Sequence, residues 1–234
     1  MSEVLTNPYS FGVSQHYSTD FSTHGDWSAN TTNLNIGSNK LSFDLTNSST
    51  DEFMNIDLSD LGINVSDTEW LLRYEFEFTT LNANDNDENN ACFVGCYSHE
   101  NPTTGESNVP SGDALRYGTQ VNLGCANILD SVNGGVQTKS DVNNDPFSLS
   151  TSTGTTFYIE TKRVSADLLE QRVYTNSAYT TQLVGSTTMS RSTSSAVNNT
   201  QFLTIQLFVS NVDGSGYTGF LNQLDFWNNS SVPF

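Results

Sequence analysis

The stretch Trp70-Leu71-Leu72-Arg73-Tyr74-Glu75-Phe76-Glu77-Phe78 (WLLRYEFEF) sets Trp70, Leu72, Tyr74, Phe76 and Phe78 in one phase and Leu71, Arg73, Glu75 and Glu77 in the other. Successive side chains of a strand leave on opposite faces, so this alternation describes a strand with one aromatic face buried and the other wetted. A helix would spread the same rings around its circumference. The two-residue period returns along most of the chain, and no long helical period accompanies it.

Working outward, Leu41, Phe43 and Leu45 form a strand, and Phe53 to Leu58 another. Ala91 to Ser98 (ACFVGCYS) is short, apolar and interrupted by Gly95, as a buried central strand can be. Leu115 to Ile128 holds one or two strands, and Gly134-Gly135 a tight turn. Phe157, Ile159 and Thr161 alternate with Tyr158, Glu160 and Lys162, and Val164 to Asp167 turns the chain back into Leu168 to Tyr174. Leu203 to Val209 and Phe220 to Trp227 complete the set. Residues 82–90, 99–113 and 139–154 read as polar loops. About a dozen short strands separated by turn signals imply two packed antiparallel sheets. The expected fold is all-β, a two-sheet antiparallel jelly-roll β-sandwich over residues 19–234 with an extended N-terminal arm over residues 1–18.

Composition narrows the function classes. The chain has 234 residues, 35% hydrophobic and 11% aromatic, enough for one large β domain, and only 15% charged. Acidic residues outnumber basic ones 26 to 8, a formal net charge of -18. Such a surface repels duplex DNA and anionic lipid, because phosphate affinity rests on Lys and Arg. Nucleic-acid binding is therefore not expected, and no segment approaches the apolar run that membrane insertion needs. Solubility, or a salty medium, accounts for most of the carboxylates. Cys92, Cys96 and Cys125 are too few for a disulfide framework and match no zinc spacing. Cys92 and Cys96 share a strand and cannot bridge; Cys96 and Cys125 could pair across neighbouring strands, but small buried thiols are the expected state. Residues 1–19 carry neither the basic start nor the apolar run of a secretory signal. A chain of extracellular composition without that address suits a protein assembled inside a cell and released on a particle, or one whose signal was trimmed. Six Asn-x-Ser/Thr sequons carry no weight, since roughly seven arise by chance in this composition.

The order of segments resembles the concanavalin A-like lectin/glucanase jelly-roll superfamily in its broad, laminin-G-like sense. The resemblance runs from about Tyr17 to Trp227. It is carried by Asp20-Phe21 with Trp27, by SDTEWLLRYEFEF (Ser66 to Phe78), and by ACFVGCYS with YGTQVNLG (Tyr117 to Gly124). Thr156 to Thr181 and GFLNQLDFW (Gly219 to Trp227) complete it. Similar modules occur in marine viral and microbial surface proteins, so the resemblance implies a displayed or lectin-like protein. The segment before Tyr17 and the loop 99–113 lie outside it, and none of its segments is a catalytic signature.

Retaining glycosidases need two carboxylates about 5 Å apart. Glu75 and Glu77 share a face, but they lack the Glu-x-Asp-x-x-Glu pattern of hydrolases on this fold and read as a solvated outer face. Glu160 and Asp225 stand alone in sequence. No enzyme is expected. Asn82 to Glu88 gathers hard oxygen ligands, and Asn84, Asp85, Asp87 and Glu88 are the candidate Ca2+ ligands, without the EF-hand's glycine and terminal glutamate. Asp141 to Asp145 and Asn211 to Asp213 repeat the idea more weakly. A sugar site needs an exposed ring with amides and carboxylates around it. Trp27, Tyr97, Tyr117, Tyr179, Tyr217 and Trp227 are available; Trp70 and Trp227 are expected in the core, and Tyr217, between Gly216 and Thr218, in an exposed loop as the glycan-binding ring.

These readings converge on a non-enzymatic, surface-displayed structural or adhesion protein. A virion surface component, such as a capsid decoration or fibre protein, is the expected setting. Tyr9, Phe11 and Tyr17 of the arm would dock on a capsid or other particle protein, glycans would meet the sandwich, and homo-oligomers fit such display. The alternative is a secreted or cell-surface lectin-like carbohydrate-binding module, calcium-dependent or not.

Overall fold

A computed structural model describes residues 15–46, 51–82, 90–100, 112–122, 124–133, 136–147, 153–183, 189–192, 197–208 and 216–228. Every regular element among them is a strand. In chain order these are β1 (Gln15–Thr19), β2 (Leu34–Ile36), β3 (Leu41–Asp44), β4 (Glu52–Asp57), β5 (Trp70–Asn82), β6 (Asn90–Tyr97) and β7 (Ala114–Asn122). Then follow β8 (Gly124–Asn133), β9 (Val136–Phe147), β10 (Thr156–Ser165), β11 (Leu168–Tyr174), β12 (Met189–Ser192), β13 (Phe202–Phe208) and β14 (Gly216–Asn228). An eight-stranded sheet runs β12-β11-β10-β5-β14-β3-β2, with β1 also on β14, and a six-stranded sheet runs β4-β13-β6-β7-β8-β9. Neighbours are antiparallel, and crossovers between sheets give the jelly-roll wiring.

The opening stretch is the central strand β5, with β10 on one side and β14 on the other. Its even-numbered residues from Trp70 to Phe78 are all buried and join one core with Cys92, Val94 and Cys96 of the facing sheet. Burying each such ring or leucine contributes about 1.5–3 kcal/mol. The rings interlock: Phe76 meets Phe78 edge-on at 4.8 Å, Phe78 meets Tyr217 at 5.3 Å, and Phe43 stacks on Phe76 at 5.3 Å. Leu71 is buried in the other phase, between Lys162 and Trp227 on the adjacent strands.

The second face of the six-stranded sheet also buries side chains. Phe93 packs with Ala91 and Phe208, and the Arg116 guanidinium lies 3.9 Å above the Phe93 ring. Gln206 Oε1 accepts from Arg116 Nη1 at 2.5 Å and from the Tyr97 hydroxyl at 2.7 Å. Gly118 makes room here: a Cβ would come within 2.3 Å of the Phe93 ring.

Several expectations need correction. The polar loop 139–154 is strand as far as Phe147, in β9, which ends the six-stranded sheet and pairs there with β8, and an edge strand needs no apolar alternation. Residues 15–18 of the expected arm are sheet: β1 pairs with β14 from Gln15↔Asn228 to Thr19↔Leu224. Cys96 pairs with Leu115 and through it with Ser131, six positions along β8 from Cys125. That is roughly 20 Å along the strand, out of disulfide reach. Cys92 and Cys96 are free and buried, and burial pushes the Cys96 thiol up to about 12.

Candidate functional site

Strand register composes a surface on the outer face of the eight-stranded sheet. One row across five strands reads Arg172, Glu160, Arg73, Asp225, Ser18. Opposite charges directly across strands attract, and here the sign alternates over the first four positions. Glu160, 7% exposed, accepts on one oxygen from Arg73 Nη2 at 2.6 Å and Arg73 Nε at 2.9 Å. Arg172 Nη1 stands 3.8 Å from its other oxygen. Two guanidiniums thus share a single carboxylate. The next row reads Glu170, Lys162, Leu71, Trp227, His16, and there the His16 and Trp227 rings stack at 4.8 Å with planes 7° apart.

Arg73 joins the rows to a third group. Its guanidinium lies 4.3 Å above the Tyr179 ring and 5.9 Å from that of Trp227. Tyr179 sits in the turn after β11, where Asn176 Oδ1 accepts from the amides of Thr180 and Thr181. Its ring meets Tyr158 and Tyr174 edge-on at 5.9 and 5.6 Å. Burial raises the Tyr179 hydroxyl above its ordinary range, with the Arg73 charge opposing. Glu75 on the same face is also raised, by burial and then by Asp225. His16, Trp227, Arg73 and the three tyrosines form a ladder of flat groups with Trp227 and Tyr179 half-buried.

Beside the ladder lies a cleft that the topology creates. β14 pairs with β3 over residues 218–221 and with β1 over residues 224–228, so Asn222 and Gln223 face neither. The register of β14 on β5 also slips between Leu221 and Leu224. The notch at this change of partner opens into a cleft of about 440 Å3, lined by Tyr17 to Asp20, Thr23 to Trp27 and Gln223. That volume falls within the range of small-ligand sites, about 300–1,000 Å3.

The cleft's outer wall is the loop Asp20–Trp27, pinned by two buried rings. Phe21 is fully buried although its φ is 54°, a left-handed conformation costly for a bulky residue and held by its surroundings. Its amide donates to Thr19 Oγ1 at 3.0 Å, and its ring packs on Trp27 at 5.8 Å. Trp27 Nε1 donates to the Tyr17 hydroxyl at 2.8 Å. Asp20 Oδ1 accepts from the Ser22 amide at 2.9 Å, and hydrogen bonds from Ser22 hold this carboxyl below its ordinary range. Gln223 Nε2 donates to Ser18 Oγ at 3.0 Å and Asp225 Oδ2 at 3.2 Å, and Asp225 Oδ1 lies 3.1 Å from His16 Nε2. The cleft is therefore wired to the ladder. Its lining offers hydroxyls, an amide and the carboxylates of Asp20 and Asp26, with no lysine or arginine. Such a set exchanges hydrogen bonds with a polyol.

The sequence-selected residues fall elsewhere. Tyr217 is not an exposed ring: it is fully buried in β14, where its hydroxyl accepts from the Cys92 amide at 2.9 Å. Its place between Gly216 and Thr218 reads as a loop; instead β14 runs through it, and Gly219 lies so close to β5 that a Cβ would meet the Glu77 carbonyl at 2.2 Å. Tyr17 is no free anchor, because β1 packs it half-buried against the core. Trp227, expected inside, lies on the outer face, and Trp27, Tyr97 and Tyr117 are buried. Glu160 and Asp225 do not stand alone; both face Arg73. Glu75 and Glu77 do occupy the outer face, Glu77 accepting from the Thr156 hydroxyl at 3.0 Å. Tyr9, Phe11, Asn84, Asp85, Asp87 and Glu88 lie outside the described residues. Among the described residues no three His, Cys, Asp or Glu side chains are grouped to hold a metal ion.

No protein-family model matches the sequence, and no curated protein does. The fold has many solved counterparts. Basic winged bean lectin, solved with Tn-antigen, superposes with a TM-score of 0.63 at 11% identity, covering 91% of this chain and 97% of the lectin. The CBM2 module of the evolved Dit of Lactobacillus casei BL23 phage J-1 gives 0.55 at 10% identity, covering 92% and 96%. The GH43 protein BlXynB of Bacillus licheniformis gives 0.53 at 10% identity, covering 90% of this chain but 39% of that one. The fold is the concanavalin A-like lectin jelly roll.

Proposed function

We propose that this protein is a non-catalytic carbohydrate-binding module that holds a sugar in the notch where β14 changes partner from β3 to β1. The observation that carries this reading is the lining of that cleft, where Ser18, Thr19, Asp20, Thr23, Asp26 and Gln223 present polar groups on a lectin-type sandwich. Trp227 and Tyr179 beside it supply edges against which a longer chain can lie. Catalysis is not part of the proposal. Glu160 is held between two arginines, and Asp225 is engaged by His16 and Gln223. The test is calorimetric titration guided by a glycan array. Gln223→Ala and Asp20→Ala should each weaken binding at least tenfold with the melting temperature unchanged. A glycan that binds both variants as tightly as the parent refutes the notch as its site, and an array with no binder refutes the function.

The setting we propose is a virion surface, supported by the similar fold of the phage J-1 module. Residues 1–14, with Tyr9 and Phe11, would anchor on a capsid or other particle protein while the cleft faces outward. Deleting residues 1–14, and not the strand that follows, should abolish attachment to particles and leave glycan binding intact. Asn84, Asp85, Asp87 and Glu88 remain the proposed calcium ligands; loss of glycan binding in chelator, restored by Ca2+, would support them.

A further inference from the structure

Inside the sandwich, under the β10–β11 hairpin, lies a group of buried polar side chains that sugar binding does not use. Thr161, Arg163 and Gln171 point inward from β10 and β11, and Thr161 pairs directly with Gln171 while Arg163 pairs with Trp70. Thr200 belongs to the same end, three residues beyond Val197, whose carbonyl accepts from Arg163 Nη2 at 2.7 Å. All five are buried, and each carries a polar atom without a partner: Trp70 Nε1, Thr161 Oγ1, Arg163 Nη1, Gln171 Nε2 and Thr200 Oγ1. A buried polar group left unpaired is costly, so one orphan is tolerable and five at one end require a common cause.

The chemistry of the set identifies that cause. Arginine, indole and amide nitrogens only donate, and both threonine hydroxyls can turn to donate. Water would need acceptors as well as donors around it, and at this end the threonine hydroxyls would have to supply them, because the carbonyls of Ser165, Ala166 and Val197 already accept from Arg163. Charge points the same way. Arg163 is 1% exposed, and no carboxylate among the described residues forms an ion pair with it. The carboxylate whose charge reaches it is Asp67, from an exposed position, while Cys96 on the facing sheet has its thiol pushed up and stays neutral. A cation in a dry interior needs a counter-charge. We propose that this end of the sandwich is an interior anion site that takes a dehydrated monovalent halide, chloride being the physiological one, between Arg163 and the donors of Trp70, Thr161, Gln171 and Thr200. The ion would fasten β5, β10 and β11 to the 197–200 segment and act as a structural part of the core.

The test uses the full chain. Crystals grown in sodium bromide should show an anomalous peak at the bromine edge within hydrogen-bonding range of Arg163 Nη1. Melting in sodium chloride and sodium gluconate at equal ionic strength separates specific binding from screening of the acidic surface. Chloride should raise the melting temperature by a few degrees per tenfold concentration above its Kd, and gluconate should not. Thr161→Val and Gln171→Leu, each removing one donor without removing charge, should lower bromide occupancy and the chloride-specific shift. Arg163→Met should abolish both; should it fail to fold, the two single-donor variants decide the matter alone. Ordered water without anomalous signal overturns the proposal. So does an adventitious ion only, meaning a bromide peak in a protein whose melting does not distinguish the two salts.

Discussion

Gly118 shows how much one missing methyl can carry. Phe93 lies across it, and a Cβ there would come within 2.3 Å of the ring, over which the Arg116 guanidinium stands at 3.9 Å. Gly118→Ala should therefore destabilise the fold by about 1–3 kcal/mol, the range for overpacking, measured by urea denaturation. A cost below the error of that measurement would mean the ring can move aside. Nothing in the sequence around Gly118 announces this, because the partner is 25 positions away on β6 and only register brings them together. Asp51 makes a second residue-scale case. Burial lifts its carboxyl to about 6, against the pull of Arg116. The folded state therefore keeps this proton above the range, near pH 4, where an unfolded aspartate releases it. Its contribution is full below pH 4 and is lost as pH rises through 6. Replacing Asp51 with asparagine should give a stability gain over the parent that grows from pH 4 to 6 and then levels off; a pH-independent difference would contradict the shift.

At the scale of elements, the legible parts were those where one face meets the core. β5 could be read from its alternation because burial enforces it, and β10 for the same reason. β9 could not, since an edge strand carries polar residues in both phases and looks like a loop. The candidate site was the least legible. Arg73, Glu160 and Asp225 occupy the polar phase of three separate strands, and each alone reads as solvated surface. Their meeting depends on pairings across 87 and 152 positions, which alternation does not encode. Tyr217 failed for a related reason: Gly216 reads as the end of a turn, whereas β14 already begins there, and Gly219 lets that strand approach β5 closely. The charge row has a measurable consequence. Glu160→Ala leaves two guanidiniums facing each other and should cost about 2 kcal/mol, whereas Glu170→Ala, at a more exposed pair, should cost less than about 1 kcal/mol. Equal losses would show that the shared carboxylate is not special.

For the whole molecule, the alternation pointed to two packed antiparallel sheets, the order of segments resembled the lectin-type jelly roll, and the acidic composition argued against phosphate-bearing partners while leaving display and sugar binding open. The cleft lies where β14, a strand of 13 residues, exchanges β3 for β1. That location follows from the path of the entire chain, so no local motif could reveal it.

The pairing of the first strand with the last governs how the protein bears load. Gln15 lies opposite Asn228, so tension applied through the two flanking segments enters at a single point and parts the β1–β14 bonds one after another. Bonds that lie across the strands and open in sequence resist far less than bonds sheared together. A force-spectroscopy trace should begin with a small, low-force step releasing β1, followed by a larger rupture of the remaining sandwich. In the attachment role proposed above, the protein would yield first at its mooring and dismantle the proposed sugar cleft, of which β1 is one wall, before its core gives way.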